Sequence, residues 1–551
     1  MKTLIETIKE SVIGAGRPII TPFGEQPLVY ADYTASGRAL TFIEDYIRDE
    51  VLPFYANTHT ETSLTGAQTT AFREEARQII RKAVNGHDDD QVIFCGPGAT
   101  AAINKLIDIL GIRLPADLDR EYDLGRHIPA AERPVVFIGP YEHHSNELPW
   151  RESIADVEAI PLTAQGQICL DTLEQKLQQY AGRTLKIGSF SAASNVTGVK
   201  SDVQQVSALL KRHGALSFWD YAAAAPYVSI DMNGETPLDA VFISPHKFVG
   251  GPGTPGILLA KKSIMRNSIP AVVGGGTVAY VTPQDHLYLE DHERREEGGT
   301  PAIVEAIRAG LVFKLQQEVG TEEIERREAD FVQRAATIFS AQPNLEILGN
   351  ARVPRLSIMS LRFKHGAKDL HYGFVVALLN DLFGIQVRGG CSCAGPYGHN
   401  LLDMDMDYSR EIESQIRSGA TVLRPGWVRL NFNYFIGEEE FTYLTRAVCL
   451  IAEHGWRLLP FYHCDSQTGI WRYQALQLAL PGSLNNWHFA ERREQEDRFP
   501  SAARFCLQRH LDKAEQALRA IDYQQGSSKL ELPGAAQKLR WFVLPQEIAA
   551  A

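Results

Sequence analysis

The sequence has neither a long basic run nor a long apolar run, and each absence excludes a class of partner. Its formal net charge is -12, so we do not expect nucleic acid or anionic membrane as a main partner. The first residues, MKTLIETIKESVIG, carry charges where a signal peptide needs an apolar core. The most apolar late stretch, AVCLIAEHGWRLLPFY, contains Glu453, His454 and Arg457, which are costly inside a bilayer. We therefore expect no membrane insertion.

Cysteine is scarce and scattered, which excludes a disulfide framework. The seven cysteines, an odd number, lie at positions 95, 169, 391, 393, 449, 464 and 506. This usage is typical of a reducing compartment, and we expect a cytoplasmic protein.

Short apolar runs alternate with amphipathic stretches between about residues 60 and 300. Runs such as DQVIFCG, RPVVFIGP, LKIGSFSAAS, ALSFWDYA and LDAVFISP predict strands, and TTAFREEARQIIRKAV and PGATAAINKLIDILGI predict helices. This alternation predicts an α/β fold with a mainly parallel sheet, which binds ligands outside the carboxyl ends of its strands.

The pattern changes after residue 300, where the chain is predicted to form a smaller α+β domain. A long helix, PAIVEAIRAGLVFKLQQEVG, precedes the strands RLSIMSLRF and WVRLNFNYF. At 551 residues the chain suggests two or three packed units. We predict an arm at 1–28, a large domain at 29–300, the small domain at 301–460 and a tail of uncertain fold at 461–551. Within the tail, SAARFCLQRHLDKAEQALRAI predicts an amphipathic helix.

Lys247 stands where an apolar strand meets a glycine-rich loop, in FISPHKFVGGPGTPG. A lysine there is either a surface residue with a buried stem or an amine that forms a Schiff base with a carbonyl. Polar residues at other strand ends favour the second interpretation. FCGPGAT starts a helix with free N–H groups suited to an anion, and Asp220 in SFWDYAA either caps a helix or pairs with a pyridinium nitrogen. His143 in YEHHSN and Asn195 in SAASNVTG follow two further strands.

Together these motifs resemble the class V aminotransferase family of fold-type I pyridoxal-phosphate enzymes. Within that family the chain is most similar to cysteine desulfurases, selenocysteine lyases and molybdenum-cofactor sulfurases. The resemblance covers about residues 28 to 455 and implies pyridoxal 5'-phosphate as the cofactor. It implies that Lys247 forms the Schiff base, that Asp220 holds the pyridine nitrogen and that His143 stacks on the ring as a catalytic residue. The other implied cofactor contacts are Ala99, Thr100, Ser244 and His246 around the phosphate and Asn195 near the phenolic oxygen and the substrate.

The resemblance also bears on the segment EEGGTPA and on Ala223. EEGGTPA resembles the segment that reaches the phosphate of a partner subunit, which implies a homodimer in which Thr300 completes the neighbouring site. Ala223 stands where desulfurases carry a glutamine, and alanine-rich stretches there resemble the molybdenum-cofactor sulfurase branch.

VRGGCSCAGPYGHN contains Cys391 and Cys393 in a glycine-rich loop. A metal site needs further ligands, and His399 is the only near candidate, so we predict no metal. A reactive thiol fits better. The desulfurase likeness places the nucleophile at Cys393, five residues after Arg388. It also implies that Arg429 in GWVRLNFNYF binds the amino-acid carboxylate together with Arg388.

The leading hypothesis is a pyridoxal-phosphate C–S lyase that moves sulfur from L-cysteine, or a related thiol amino acid, to a cysteine persulfide. One alternative is an aminotransferase, epimerase or β-eliminating lyase in which the cysteine loop is incidental. Another is a non-catalytic dimeric scaffold or sulfur-relay partner. A sulfur-acceptor protein is a further expected partner, and Cys391 could assist, accept sulfur or do nothing.

Overall fold

The computed structural model describes residues 2–58, 60–478, 480–486 and 505–550. The chain divides into two compact units, which we call the sheet unit and the terminal unit. The sheet unit comprises Thr34–Arg327 and Arg352–Leu356, and the terminal unit comprises Met1–Tyr33, Glu328–Ala351 and Ser357–Ala551. The predicted division into four segments stays a prediction.

The sheet unit is built on seven strands. They are β1 (Asp90–Phe94), β2 (Val135–Ile138), β3 (Asp156–Ala159), β4 (Lys186–Ser191), β5 (Leu216–Asp220), β6 (Ala240–Ile243) and β7 (Ile257–Lys261). Their order across the sheet is β1-β7-β6-β5-β4-β2-β3. β7 is antiparallel to both of its neighbours, and the other pairs are parallel. β2, β4 and β6 are buried at every residue, as expected of parallel strands covered on both faces. The predicted fold class, α/β with a mainly parallel sheet, is confirmed.

The helix Gly98–Leu110 shows how this sheet is covered. Its apolar residues Ile103, Leu106 and Ile107 are fully buried in one cluster with side chains of the strands, and Gly111 ends it in the left-handed conformation (φ 66°). The other helices of this unit are Thr41–Tyr46, Leu64–Ala83, Ala116–Tyr122, Leu148–Arg151, Leu170–Gln179, Val203–Arg212, His292–Arg295 and Ile303–Val319, and a hairpin joins Val278–Val281 to His286–Tyr288. The helix Thr321–Ser340 crosses the unit boundary.

The terminal unit contains a second, mainly antiparallel sheet. Its strands are Leu345–Ile347, Ile358–His365, Lys368–Leu370, Arg388–Gly390 and Trp427–Asn431. Shorter strands pair Pro18–Thr21 with Gly24–Pro27 and Val29–Tyr30 with Ile385–Gln386. The helices are Leu4–Ser11, Tyr372–Phe383, Gly395–Leu401, Met406–Arg417, Glu438–His454, Leu507–Ala520, Gly534–Leu539 and Pro545–Ala549. Among the described residues, no helix is both long and apolar enough to span a membrane.

Several of the described residues after 460, among them Tyr462, Trp471 and Phe542, are buried in the terminal unit. A hairpin of Tyr462–Asp465 and Ile470–Tyr473 places the Trp471 indole N–H 3.0 Å from Nδ1 of the buried His371. His371 Nε2 lies 3.1 Å from the carbonyl of Val422, and burial lowers the pKa of His371 to about 3. The helix predicted in SAARFCLQRHLDKAEQALRAI is present as Leu507–Ala520. Its residues 501–504, like all of 487–504, lie outside the described residues.

The backbone of Gly256, just before β7, packs closely against the turn that follows β1. Its N–H donates to Gly96 O and its carbonyl accepts from Cys95 N–H, both at 2.7 Å. A Cβ at Gly256 would lie only 2.0 Å from Gly98 O. We therefore expect Gly256→Ala to force these segments apart and to lower stability by about 1–3 kcal/mol, as overpacking does.

The measurement is the midpoint of thermal unfolding. Gly182→Ala is the matched control because a Cβ there meets nothing within 4 Å, and its midpoint should not move. Equal midpoints for the two variants would contradict the expectation.

Candidate active site

Five predicted site residues follow five different strands of the sheet unit. Thr100 follows β1, His143 follows β2, Asn195 follows β4, Asp220 ends β5 and Lys247 follows β6. Four of these strands are parallel, and β1 runs in the same direction because it is separated from β6 by one antiparallel strand. The carboxyl ends of all five strands therefore share one edge of the sheet, where ligands bind in such folds.

Lys247 and Asp220 occupy adjacent strand ends. Lys247 is partly exposed on the short 3₁₀ turn Pro245–Lys247, whereas Asp220 is 5% exposed. Burial raises the pKa of the Asp220 carboxyl, and the positive charge of Lys247 acts in the opposite direction. Asp220 Oδ1 accepts a hydrogen bond from Ala222 N–H at 2.8 Å. This edge thus carries an amine and a buried carboxyl, and a cationic neighbour stabilises the ionised form of that carboxyl.

The turn before the helix Gly98–Leu110 lies against the turn after β6. Ala99 N–H donates to Ser244 Oγ at 2.8 Å. Gly98 has φ +54°, and a Cβ there would lie 2.8 Å from Ser244 Oγ and 3.7 Å from His246 Nε2. Burial, reinforced by the charge of Lys247, lowers the pKa of His246 to about 4, so its ring is neutral at pH 7. Helix N–H groups beside hydroxyl and imidazole groups suit a phosphate.

Ser145 links two of the predicted residues. Its Oγ lies 2.6 Å from Thr100 Oγ1 and 3.0 Å from His143 Nδ1. Ser145 N–H also donates to His143 Nδ1 at 3.1 Å. Because Nδ1 accepts this bond, the neutral His143 ring carries its proton on Nε2. Ser145 was not predicted; its position two residues after His143 was the available signal.

Glu142 is a buried carboxyl that the sequence analysis missed. Its Oε1 accepts from the N–H groups of Gly139 and Ser191 at 3.2 and 2.8 Å. Its Oε2 accepts from the Ser191 hydroxyl at 2.6 Å and the Asn146 amide at 2.7 Å. Burial raises the pKa of Glu142 to about 7 against the effect of these bonds. Glu142 therefore ties the ends of β2 and β4 together directly beside His143.

Asn195 and Thr300 differ in exposure. Asn195 is 8% exposed in the loop after β4, whereas Thr300 is exposed before the helix Ile303–Val319. Glu297, three residues before Thr300, is buried and pairs with Arg73 at 2.5 Å and with Arg77 at 3.0 Å. The segment that carries Thr300 is thus firmly anchored at its start. Ala223 is buried.

In the terminal unit, Arg388 and Arg429 lie opposite each other on paired strands. Asp32 contacts both, with Oδ2 3.2 Å from Arg388 Nε and Oδ1 3.2 Å from an Arg429 terminal nitrogen. The side chain of Arg429 is 4% exposed and that of Arg388 is 56% exposed. Burial lowers the pKa of Arg429, while the charges of Asp32 and Cys393 act to raise it. Asp32 is a second acid that the sequence analysis missed.

The cysteine loop follows the strand Arg388–Gly390. Cys393 is exposed and Cys391 is half-buried. Ser392 and Cys393 both adopt left-handed backbone conformations, with φ 55° and 56°, at about 1–2 kcal/mol each. Non-glycine residues in this conformation cluster at functional sites.

The predicted site residues therefore form two groups. The sheet unit carries Ala99, Thr100, His143, Asn195, Asp220, Ser244, His246, Lys247 and Thr300, and the terminal unit carries Arg388, Cys393 and Arg429.

A sequence profile of the family described as "Aminotransferase class-V" matches residues 29–417. The chain belongs to this family, whose members are pyridoxal-phosphate-dependent enzymes. The predicted resemblance and the predicted class of enzyme are therefore confirmed.

Within this family, the chain is similar to proteins named as cysteine desulfurases. The chain is 29% identical to a probable cysteine desulfurase of Halalkalibacterium halodurans over 374 residues, which cover 67% of this chain and 85% of that one. It is 28% identical to a probable cysteine desulfurase of Staphylococcus aureus, over 67% of this chain and 84% of that one. Among solved structures, the apo cysteine desulfurase of Thermococcus onnurineus shares the fold with a TM-score of 0.63 at 23% identity, over 77% of this chain and 95% of that one. The predicted cysteine desulfurase-like character is thus confirmed.

Removing the Asp32 carboxylate leaves the buried Arg429 without its counter-charge. Breaking one partner of a buried ion pair is strongly destabilising, so we expect Asp32→Asn to lower stability by about 3 kcal/mol. The measurement is the thermal unfolding midpoint. Asp45→Asn is the control, since Asp45 pairs with Arg48 on the surface, and it should unfold like the wild type. An unchanged midpoint for Asp32→Asn would show that Asp32 does not hold the arginines.

Proposed function

We propose that the chain is a pyridoxal-phosphate-dependent C–S lyase that moves sulfur from L-cysteine, or a related thiol amino acid, onto Cys393. The observation that carries the proposal is the cysteine loop. An exposed thiol on a strained backbone follows a strand that pairs with the strand of the buried Arg429. The curated relatives named cysteine desulfurase support the same reaction.

The residues at the sheet edge fit pyridoxal 5'-phosphate. Gly98 leaves space that a Cβ would fill beside Ser244 and His246, and Ala99 and Thr100 start the helix there. The phosphate would bind at these groups, Asp220 would face the ring nitrogen, and Lys247 would hold the carbonyl carbon. When bound, the cofactor supplies an electron sink for carbanion chemistry. His143 would stack on the ring, with Asn195 near its phenolic oxygen.

Arginine suits the substrate carboxylate because its planar fork binds both oxygens. Arg429 is buried and held by Asp32, so its position is fixed before substrate arrives. Arg388 shares Asp32 and is half exposed, so it can turn toward a ligand with less rearrangement. We assign carboxylate binding to this pair.

Cys393 takes the sulfur as a thiolate, because the thiolate is the nucleophile. Its Sγ forms a bond to the substrate sulfur while the carbon–sulfur bond of the substrate breaks. The electron pair of that bond remains with the carbon, and protonation of this carbon gives alanine. His143 carries a proton on Nε2, and it is our candidate for the residue that transfers a proton to or from the substrate. The outer sulfur of the persulfide then passes to an acceptor and leaves Cys393 as a thiolate, and we propose a protein in the cytoplasm as this acceptor.

Replacing Cys393 separates sulfur transfer from other reactions of the family. Cys393→Ser should abolish persulfide formation and alanine release from L-cysteine. Visible cofactor absorbance should remain, because Lys247 and Asp220 are unchanged. The measurement is alanine and sulfide together, with mass spectrometry of the peptide that contains Cys391 and Cys393.

Cys506→Ser is the matched control, since Cys506 is also an exposed thiol, and it should turn over normally. Lys247→Ala should lose the visible band. Wild-type turnover by Cys393→Ser, with keto acid or sulfide as product, would replace this proposal by an aminotransferase or β-eliminating lyase.

We also propose a homodimer in which each site receives Thr300 from the partner. Large apolar side chains are exposed near this segment, with Tyr280 at 69% and Leu287 at 64% on the hairpin and Val273 at 60% before it. Exposed apolar patches mark interaction surfaces. Gly299 N–H donates to Gly275 O at 2.8 Å, which links the Thr300 segment to this surface.

Complementation tests the shared site. Lys247→Ala and Thr300→Asp should each be inactive alone, the second because its carboxylate repels the phosphate. After mixing and subunit exchange, mixed dimers carry one intact site, and about a quarter of wild-type activity should return. A chain with both substitutions, mixed with Thr300→Asp, is the control and should restore none. A fully active monomer in analytical ultracentrifugation would contradict the shared site.

A further inference from the structure

A cavity lies wholly within the terminal unit, lined only by residues of that unit. Its volume is about 560 Å³, within the range of small-molecule sites. The aromatic side chains of Tyr372, Trp471 and Tyr473 line it. Leu476 and Leu478, also in its lining, are 51% and 60% exposed. The cavity therefore presents an apolar interior with an exposed apolar mouth.

Two charged residues, Asp381 and Arg472, line this cavity, and they differ in their hydrogen bonds and in their exposure. Asp381 accepts from the Tyr462 hydroxyl at 2.7 Å and from the Asn380 amide at 2.7 Å, one on each carboxyl oxygen. Arg472 has a buried Nε with no hydrogen-bond partner, and none of the ion pairs within the described part of the chain includes it. Arg472 is partly exposed, so its guanidinium can accept a ligand as a hydrogen-bond partner.

We propose that this cavity binds a small amphipathic carboxylate, with the carboxylate on Arg472 and the apolar body against the aromatic side chains. A carboxylate satisfies a guanidinium with charge-assisted hydrogen bonds, and Arg472 has no ion-pair partner within the described part of the chain. An amine gains less, because Asp381 is only 5% exposed, whereas Arg472 is partly exposed. An apolar body replaces water along the aromatic wall. This site is independent of the proposed sulfur transfer.

Calorimetric titration of the full-length protein tests the charge preference. The probes are 4-phenylbutyrate, 4-phenylbutan-1-ol and 4-phenylbutylamine, which share one apolar body and differ in the head group. We expect the acid to bind at least about tenfold more tightly than the alcohol, as a charge-assisted hydrogen bond predicts, and the amine to bind most weakly. Equal affinities for acid and alcohol, or no binding of the acid, would overturn the proposal.

Three variants locate the ligand. Arg472→Gln should reduce the affinity for 4-phenylbutyrate about tenfold and leave that for the alcohol unchanged. Ala377→Trp, which fills the cavity from the helix Tyr372–Phe383, should abolish binding of both. Arg410→Gln is the control, because Arg410 is 71% exposed and lies outside the cavity lining.

The thermal midpoints of all variants are compared with the wild type so that a folding defect is recognised. Undiminished acid binding by a folded Arg472→Gln would overturn the proposal. Loss of self-association in Ala377→Trp, without an effect on the probes, would assign the cavity to a second copy of the chain and also overturn it.

Discussion

A buried carboxyl beside a lysine determines the chemistry that the sheet edge can support. Asp220 pairs in register with Phe242 on the parallel strand β6, so its carboxyl and Lys247 emerge at the same edge. An antiparallel pairing of β5 and β6 would send them to opposite edges. Because burying an unpaired charge is expensive, the ionised form of this carboxyl is stable only with a cationic neighbour. The same requirement favours the proposed contact between Asp220 and a cationic ring nitrogen.

The cysteine loop combines strain with firm anchors. Cys393 is exposed in the left-handed conformation, yet Ala394 and Tyr397 directly after it are 0% and 2% exposed. Strained residues persist only where their surroundings determine the backbone. The buried residues supply that constraint, so the thiol is presented in a defined direction.

The sequence predicted the residues whose signal is local. Lys247, Asp220 and His143 each end or follow an apolar strand, and the parallel topology then requires them to share an edge. Asp32 could not be found in this way, since it contacts Arg429 across 397 positions of the chain. Glu142 was missed because its partner Ser191 lies 49 positions further along the chain, at the end of β4. Such contacts depend on the register of the fold, which local patterns do not contain.

Only one helix of the tail was predicted from the sequence, yet the tail supports the strand that precedes the cysteine loop. Trp471 hydrogen-bonds to His371, and Trp541 stacks on the rings of His371 and Tyr372 at interplanar angles of 23° and 15°. A Cβ at Gly389 would lie 2.6 Å from Tyr372 Cδ2, so this ring packs directly on the backbone of the strand Arg388–Gly390. The tail thus supports that strand indirectly, because Trp541 stacks on Tyr372 and Tyr372 packs on Gly389. Aromatic stacks bury large areas with few rotatable bonds, which explains how these late residues can support the strand before the cysteine loop.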